Sequence, residues 1–309
     1  MLFNSRDVDT FLDRFRENTK VDLQTLINKI ANDTAVDSAY IVGSIPVGVG
    51  SRISDVDIYV IINKDINGGN FAPDVLNMAE QVKWYSSDDD PLVIGEAIFI
   101  INGVKVDVEL LRASGIESMC NRLGSSHTLL SDSDINVFGK IRAGWALPFP
   151  SGELGEKLSS KEKAFDIYVT TKCLFTAISW FNKSMIVSGN TYVHSVLLAR
   201  YAVEQCFSAY FASIGYAALR AKWVQFLMQG ACQLSEFDQG NFNKIRESGL
   251  SLLFPDFEST TNEEGFIKYL EKVRGFLLVT KKVLTSSPEY KIAISLNGEM
   301  SIPNLVSLA

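Results

Sequence analysis

Apolar and polar residues alternate through the first half of the chain, and the alternation is interrupted by Gly-Ser, Gly-Gly and Asn-Gly turns. Apolar residues at helical spacing predict helical cover at 7–32 and a helix at 73–84. Apolar and alternating runs predict strands at 39–42, 55–62 and 137–147, and a hairpin of strands 97–101 and 104–110 around Asn102-Gly103. We therefore expect a mixed sheet with helical cover in residues 1–150.

Beyond Pro148-Phe149-Pro150, which marks the predicted domain boundary, the apolar period lengthens to about 3.6 residues. The pattern predicts helices at 159–184, 191–214, 216–228, 236–248 and 263–285. A second turn signal, Asn297-Gly298, predicts a C-terminal hairpin of strands 291–296 and 299–302. The predicted fold class is α+β, with an N-terminal mixed-sheet domain at 1–150 followed by a C-terminal helical bundle at 151–309.

Composition narrows the class of protein. The 309 residues are 47% apolar and 21% charged, which is typical of a globular chain with a sizeable core. Four scattered cysteines without CxxC spacing argue against a disulfide framework or a zinc site, and they favour a reducing compartment. Because we find neither a secretory signal nor an apolar run of about 18 residues, we expect a cytoplasmic location and no membrane partner.

The charge balance bears on the kind of partner. A net charge of −7 argues against nucleic acid, because binding to phosphates depends on Lys and Arg. The same acidic surface suits a small cationic acceptor. Apolar helix faces are explained equally by a core and by a dimer, so the oligomeric state stays open.

Carboxylates stand at the start of the second predicted strand. Asp55 and Asp57 are two residues apart, so they point to the same face of that strand. On the second hairpin strand, Lys105, Asp107 and Glu109 share a face in the same way. If the two strands are neighbours, three carboxylates converge, and such a group is typical of a magnesium site that also holds substrate phosphates. The alternative is a pair of solvated charges at a strand end.

The spacing of these residues resembles a known pattern. It reads Gly43-Ser44, three residues, Gly48, five residues, then Ser54-Asp55-x-Asp57, with a later apolar-Asp107-apolar strand. This resembles the nucleotidyltransferase superfamily, which has a DNA polymerase β-like fold, and is nearest in kind to antibiotic nucleotidyltransferases such as kanamycin nucleotidyltransferase and streptomycin adenylyltransferase. The resemblance covers 39–110, about a quarter of the chain.

The resemblance implies a role for each matching residue. Gly43 and Ser44 would bind the triphosphate of a nucleotide. Asp55 and Asp57 would hold two magnesium ions, and Asp107 would hold the ion beside the incoming hydroxyl group. All three carboxylates would therefore be catalytic residues and metal ligands.

Two further roles follow from the resemblance. Glu109 or Asp107 would take the proton of the acceptor hydroxyl; we assign Asp107 to the metal and Glu109 as the candidate base. Many relatives carry an arginine where this chain has Ile45-Pro46-Val47. The phosphate charge would then be met by Arg52 and by Lys222 of the second domain, and an ordinary helix-edge role is the alternative for Lys222.

The implied activity is magnesium-dependent transfer of a nucleoside monophosphate, AMP from ATP or its equivalent from another NTP, to a hydroxyl of a small acceptor, with release of pyrophosphate. One alternative is a toxin-like transferase that acts on tRNA or on a protein. Another is a catalytically silent sensor that binds nucleotide without turnover. The sequence predicts neither which nucleobase the NTP carries nor which molecule is the acceptor.

Overall fold

The computed structural model describes residues 12–13, 15–17, 23–31, 35–46, 55–63, 81–86, 90–101, 103–123, 129–147, 153–186, 192–217, 236–256, 260 and 262–296. The chain divides into two compact units, Met1–Ala164 and Phe165–Ala309. The division falls within a continuous helix, whereas the sequence predicts a boundary at 150–151. In the ranges above, none of the helices combines the length and the apolar character that a membrane crossing requires.

The first unit is built on a six-stranded mixed sheet in the order β3-β4-β5-β2-β1-β6. Its strands are β1 (Val36–Val42), β2 (Val56–Ile62), β3 (Gln81–Ser86), β4 (Val93–Ile101), β5 (Val104–Arg112) and β6 (Trp145–Ala146). Among the strand pairs of this sheet only β2 and β5 run parallel, and the others are antiparallel. The predicted hairpin is confirmed, because β4 and β5 pair on either side of a turn that contains Gly103.

One face of this sheet is apolar and is covered by helix α1 (Leu23–Ala31). Alternate strand residues point into this core, and α1 contributes residues at helical spacing. The core includes Leu23, Leu26, Ile27 and Ile30 of α1, Val56, Ile58 and Val60 of β2, and Val106, Val108 and Leu110 of β5. The intervening residues of β2 and β5 must therefore point to the opposite face, where the polar side chains lie.

Two short helices follow the sheet strands, α2 (Ala113–Arg122) and α3 (Asp132–Ala143). The sequence prediction of a strand at 137–147 is wrong over most of its length, because α3 occupies these residues up to Ala143 and only Trp145–Ala146 form a strand. The reason is a capping box: the Ser131 hydroxyl accepts from the Asp134 N–H at 3.1 Å, and the Asp134 carboxylate accepts from the Ser131 N–H at 2.8 Å.

The predicted helix at 73–84 is also corrected. Gln81–Ser86 form strand β3, which pairs with β4, while residues 73–80 lie outside the described part of the chain. Trp84 and Tyr85 belong to the residue types that favour strands. Pairing with β4 outweighs the helical spacing that the upstream residues suggest.

The second unit is mostly helical, so the α+β fold class is confirmed. The long helix α4 (Glu153–Ser184) spans the division between the units, and the second unit continues with α5 (Tyr192–Ser213), α6 (Glu236–Gly249), a short 3-10 helix at Leu250–Leu253, α7 (Glu263–Leu284) and α8 (Pro288–Leu296). Aromatic side chains fill its core, and the rings of Phe207 on α5 and Phe276 on α7 lie 5.0 Å apart. The predicted helix at 216–228 lies almost wholly outside the described residues.

The predicted C-terminal hairpin is wrong in its first strand, because residues 291–296 belong to helix α8. Pro288 begins the helix, a position that suits its fixed backbone angle and missing N–H. Tyr290 and Ile294 are both buried, and a spacing of four residues between buried side chains is helical. The predicted partner strand, 299–302, lies outside the described residues.

Candidate active site

The parallel pairing of β2 with β5 brings the predicted carboxylates together. Asp57 lies directly opposite Asp107. Two residues further along both strands, Tyr59 lies opposite Glu109. Asp55 immediately precedes β2 and is exposed. The condition on which the sequence prediction of a three-carboxylate group depends is thus met, since the two strands are neighbours.

Lys105 joins two of these carboxylates. Its Nζ donates to Asp107 Oδ2 at 2.5 Å and to Asp55 Oδ2 at 3.3 Å. The lysine stands two residues before Asp107 on β5, so both side chains share a face. Burial lowers the pKa of Lys105, but the bonds with Asp107 and Asp55 outweigh it and raise the pKa above its ordinary value. The side chain is therefore an ammonium group.

Asp57 lies in a more enclosed position. Burial raises the pKa of Asp57, the Lys140 ammonium opposes this, and the charges of Asp107 and Asp55 add to the rise. A raised carboxyl pKa means that the site resists a further negative charge unless a cation is supplied.

Gly43 makes the closest backbone approach to this group. It follows β1 with φ +83°, and a Cβ built on it would lie 2.1 Å from Asp57 Oδ2. Only glycine accommodates both the backbone angle and the contact. Ser44 comes next in the same turn and is half-buried. The predicted phosphate-binding turn therefore stands beside Asp57, while its binding role stays a prediction.

Two predicted nucleotide-binding residues cannot be placed. Arg52 and Lys222 both lie outside the described residues. Arg200 on helix α5 is the other basic residue considered for the triphosphate, and it forms an ion pair with Glu204 at 3.0 Å one turn along that helix. That pairing agrees with an ordinary role within the helix.

A second polar group borders the carboxylates. The Nζ of Lys140 on α3 donates to the Tyr59 hydroxyl at 2.6 Å, and Tyr59 in turn bonds to the Glu109 carboxylate. Burial raises the pKa of Glu109, Lys140 and the bond from Tyr59 oppose the rise, and the charges of Glu96 and Asp57 add to it. Tyr59 is 2% exposed, so it holds Glu109, the candidate general base, in a fixed position.

Sequence reasoning did not identify Lys140. The residue falls within 137–147, for which the sequence predicts a strand, and that prediction gives its side chain no partner. The Ser-x-x-Asp spacing of Ser131 and Asp134 is the signal that would have revealed helix α3. The last turn of that helix carries Lys140.

The donor set suits a hard divalent cation, because it consists of carboxylate oxygens on a shared face. Asp107 Oδ1 is buried and, among the described residues, has no hydrogen-bond partner. Within those residues no three Asp, Glu, His or Cys side chains are grouped as metal ligands. The Lys105 ammonium donates to one oxygen of Asp55 and to one oxygen of Asp107, the oxygens that a shared ion would contact.

Comparison with known proteins gives only distant likenesses. No family model matches the chain, and no curated protein matches it. A nucleotidyltransferase-like protein from Exiguobacterium sibiricum 255-15 is similar at 10% identity, over 89% of this chain and 79% of that one, with a TM-score of 0.37. A chain of the GLD-2/RNP-8 complex is similar at 13% identity, over 78% of each chain, with a TM-score of 0.25. Both are too distant to carry weight on function, which must rest on the site.

Proposed function

We propose that this chain is a magnesium-dependent nucleotidyltransferase. It transfers a nucleoside monophosphate, AMP from ATP, to a hydroxyl group of a small-molecule acceptor and releases pyrophosphate. The observation that carries the proposal is the in-register pairing of Asp57 with Asp107 on the one parallel strand pair of the described sheet, with Asp55 at the start of β2. Carboxylates disfavour strands, and three of them around two buried strands point to a cation site.

Different residues would bind the metal ions and the triphosphate. Asp55, Asp57 and Asp107 would hold the two magnesium ions, which when bound stabilise the charge on the attacking and leaving oxygens. The backbone N–H groups at Gly43 and the Ser44 hydroxyl would bind the triphosphate. A turn that approaches so closely to Asp57 would set the nucleotide phosphates against the carboxylate group.

The bond changes balance with the groups present. The acceptor oxygen forms a bond to the α-phosphorus, the bond from that phosphorus to the pyrophosphate oxygen breaks, and the hydroxyl proton passes to a carboxylate. Glu109 is the candidate base because it lies two residues beyond Asp107 on the same face of β5. Tyr59 and Lys140 hold it in position.

The acceptor is assigned from charge. A chain with a net charge of −7 repels a polyanion such as RNA and attracts a neutral or cationic metabolite. A hydroxylated, amine-bearing small molecule of the aminoglycoside type therefore fits better than tRNA. Arg52 and Lys222 complete the proposal as the residues that would meet the phosphate charge.

The proposal is tested by pyrophosphate release. The full chain is incubated with each NTP and Mg²⁺, together with aminoglycosides, other hydroxylated metabolites or bulk tRNA. We expect release that depends on one small acceptor. Asp57→Asn and Asp107→Asn should each lower the rate to below about 1% of wild type, because even residues behind a metal ligand typically cost 10- to 100-fold.

The matched control is Asp13→Asn, which removes an exposed carboxylate that pairs with Arg16. This variant should keep the wild-type rate. Pyrophosphate release that requires tRNA would instead support an RNA acceptor. Nucleotide binding without any pyrophosphate release would favour the silent sensor. Near-normal release by Asp57→Asn would refute the assignment of the metal site.

A further inference from the structure

We propose that Lys105 is a resident cation of the carboxylate site, which holds Asp55 and Asp107 in the metal-free protein and competes with the divalent ion for them. The inference rests on the proposed function, because the ion that the function requires would use the same carboxylates. The new element is that the Lys105 ammonium and the metal ion replace each other on Asp55 and Asp107. The proposed function itself does not require such an exchange.

The geometry supports competition rather than coexistence. The ammonium takes one oxygen of each carboxylate, Oδ2 of Asp107 at 2.5 Å and Oδ2 of Asp55 at 3.3 Å. A divalent ion that bound both residues through these oxygens would occupy the space of the ammonium group. The lysine must then swing away before the two carboxylates can share an ion.

The burial of the partners suggests how strong the competition is. The Asp107 side chain is 13% exposed, while those of Lys105 and Asp55 are 37% and 48% exposed. The bond to Asp55 is thus close to a surface ion pair and contributes little. The bond to Asp107 is charge-assisted and mostly enclosed, so it should weaken metal binding by about tenfold.

Charge supports the same conclusion. Asp55, Asp57 and Asp107 bring three negative charges to one strand pair, and Lys105 is the cation in direct contact with two of them. Lys140 acts on the remaining one, Asp57, from the side of α3. Without Lys105 the metal-free site would hold two adjacent carboxylates that repel each other, which favours any cation that can replace it.

The test is Mn²⁺ binding by the full chain without nucleotide, read from the electron paramagnetic resonance signal of the free ion. Mn²⁺ binds the same oxygen ligands as Mg²⁺. We expect Lys105→Gln to bind Mn²⁺ about tenfold more tightly than wild type. Lys105→Arg retains the positive charge and should remain closer to wild type.

Lys83 provides the matched control. It is an exposed lysine of β3 that stands in the same cross-strand row as Asp107, through Ile98 of β4. Lys83→Gln removes the same charge from the same sheet without touching Asp55 or Asp107. Because salt screens charges about 10 Å apart, this variant should bind Mn²⁺ within about twofold of wild type.

Thermal unfolding supplies a second readout. In EDTA, Lys105→Gln should unfold at a lower temperature than wild type, and added Mn²⁺ should raise its unfolding temperature by more than it raises that of wild type. A Lys105→Gln chain that fails to fold both with and without Mn²⁺ would overturn the proposal, because the bound ion should replace the lost ammonium group.

The remaining outcomes separate the two proposals. If Lys105→Gln binds Mn²⁺ as wild type does, or more weakly, the competition is refuted, while metal-dependent pyrophosphate release would leave the proposed function standing. If wild type and all variants bind no divalent ion and release no pyrophosphate, both proposals fail.

Discussion

Two glycines of the first unit share a backbone conformation that residues with a side chain avoid. Gly43 has φ +83° and Gly103 has φ +77°. They differ in their surroundings, because a Cβ on Gly43 would meet Asp57 Oδ2 at 2.1 Å, whereas a Cβ on Gly103 would meet nothing within 4 Å. A comparison of substitutions at the two glycines therefore separates two costs. Substitution of Gly103 introduces only backbone strain, whereas substitution of Gly43 also displaces the Asp57 carboxylate.

Substitution at these glycines gives a prediction at the residue scale. Gly103→Ala should lower the free energy of unfolding by about 1 kcal/mol, the cost of a left-handed backbone. Gly43→Ala should cost more and should also weaken Mn²⁺ binding, because Asp57 has to move. Chemical denaturation and metal titration measure the two effects. Equal losses of stability with unchanged metal binding in both variants would contradict the close contact.

The residues of the site could be read from the sequence only in part. Asp55, Asp57 and Asp107 could be predicted because the two-residue period of a strand fixes which side chains share a face. The ion pairs of Lys105 could not be predicted, since the same alternation shows the direction of a side chain and not its partner. Tyr59 and Glu109 share a bond because two strands distant in sequence pair in one particular register.

At the scale of elements, helix α3 begins with a reciprocal pair of capping bonds. Ser131→Ala removes the hydroxyl that accepts from the Asp134 N–H. We expect a loss of about 1 kcal/mol in the free energy of unfolding, the usual cost of losing an N-cap. Chemical denaturation of the full chain measures it.

Ser133 offers a control for this prediction on the same helix. It is exposed and lies two residues after the cap. Ser133→Ala should leave stability within about 0.5 kcal/mol of wild type, as is usual for surface changes. Because alanine is the better helix former, helix propensity alone cannot lower the stability of Ser133→Ala. A loss as large as that of Ser131→Ala would therefore contradict a role specific to the cap.

The elements that sequence reasoning identified are those with strong local signals. The β4–β5 hairpin has an Asn-Gly turn, and α7 has a long apolar period with Asn262 accepting from the Gly265 N–H at 2.8 Å. The errors occur in short segments, β3, α3 and α8, where apolar spacing fits a strand and a helix almost equally. There the choice depends on a cap or on a neighbouring strand.

For the molecule as a whole, buried carboxylates link stability to pH. Burial raises the pKa of Asp57 and of Glu109, so the folded chain holds protons that the unfolded chain has released. Stability should therefore fall as the pH rises from the ordinary carboxyl pKa of about 4 through the raised values. A divalent ion favours the charged form and should flatten this dependence.

The measurement is the free energy of unfolding in EDTA at a series of pH values. Asp57→Asn and Glu109→Gln should each reduce the slope, because each removes one group with a raised pKa. Asp13→Asn, at an exposed site, should keep the wild-type slope. A slope that none of the buried substitutions alters would refute a link between these two groups and stability.

The parallel pairing of β2 with β5, alone of its kind in the described sheet, has a consequence for the order of folding. Antiparallel neighbours can zip from a turn, but β2 and β5 are joined through β3 and β4, so their contacts are among the later ones to be secured. A growing chain that has not yet delivered β5 carries Asp55 and Asp57 but lacks both Asp107 and its lysine. Asp107 therefore reaches Asp55 and Asp57 on the same strand as Lys105, the lysine that pairs with it.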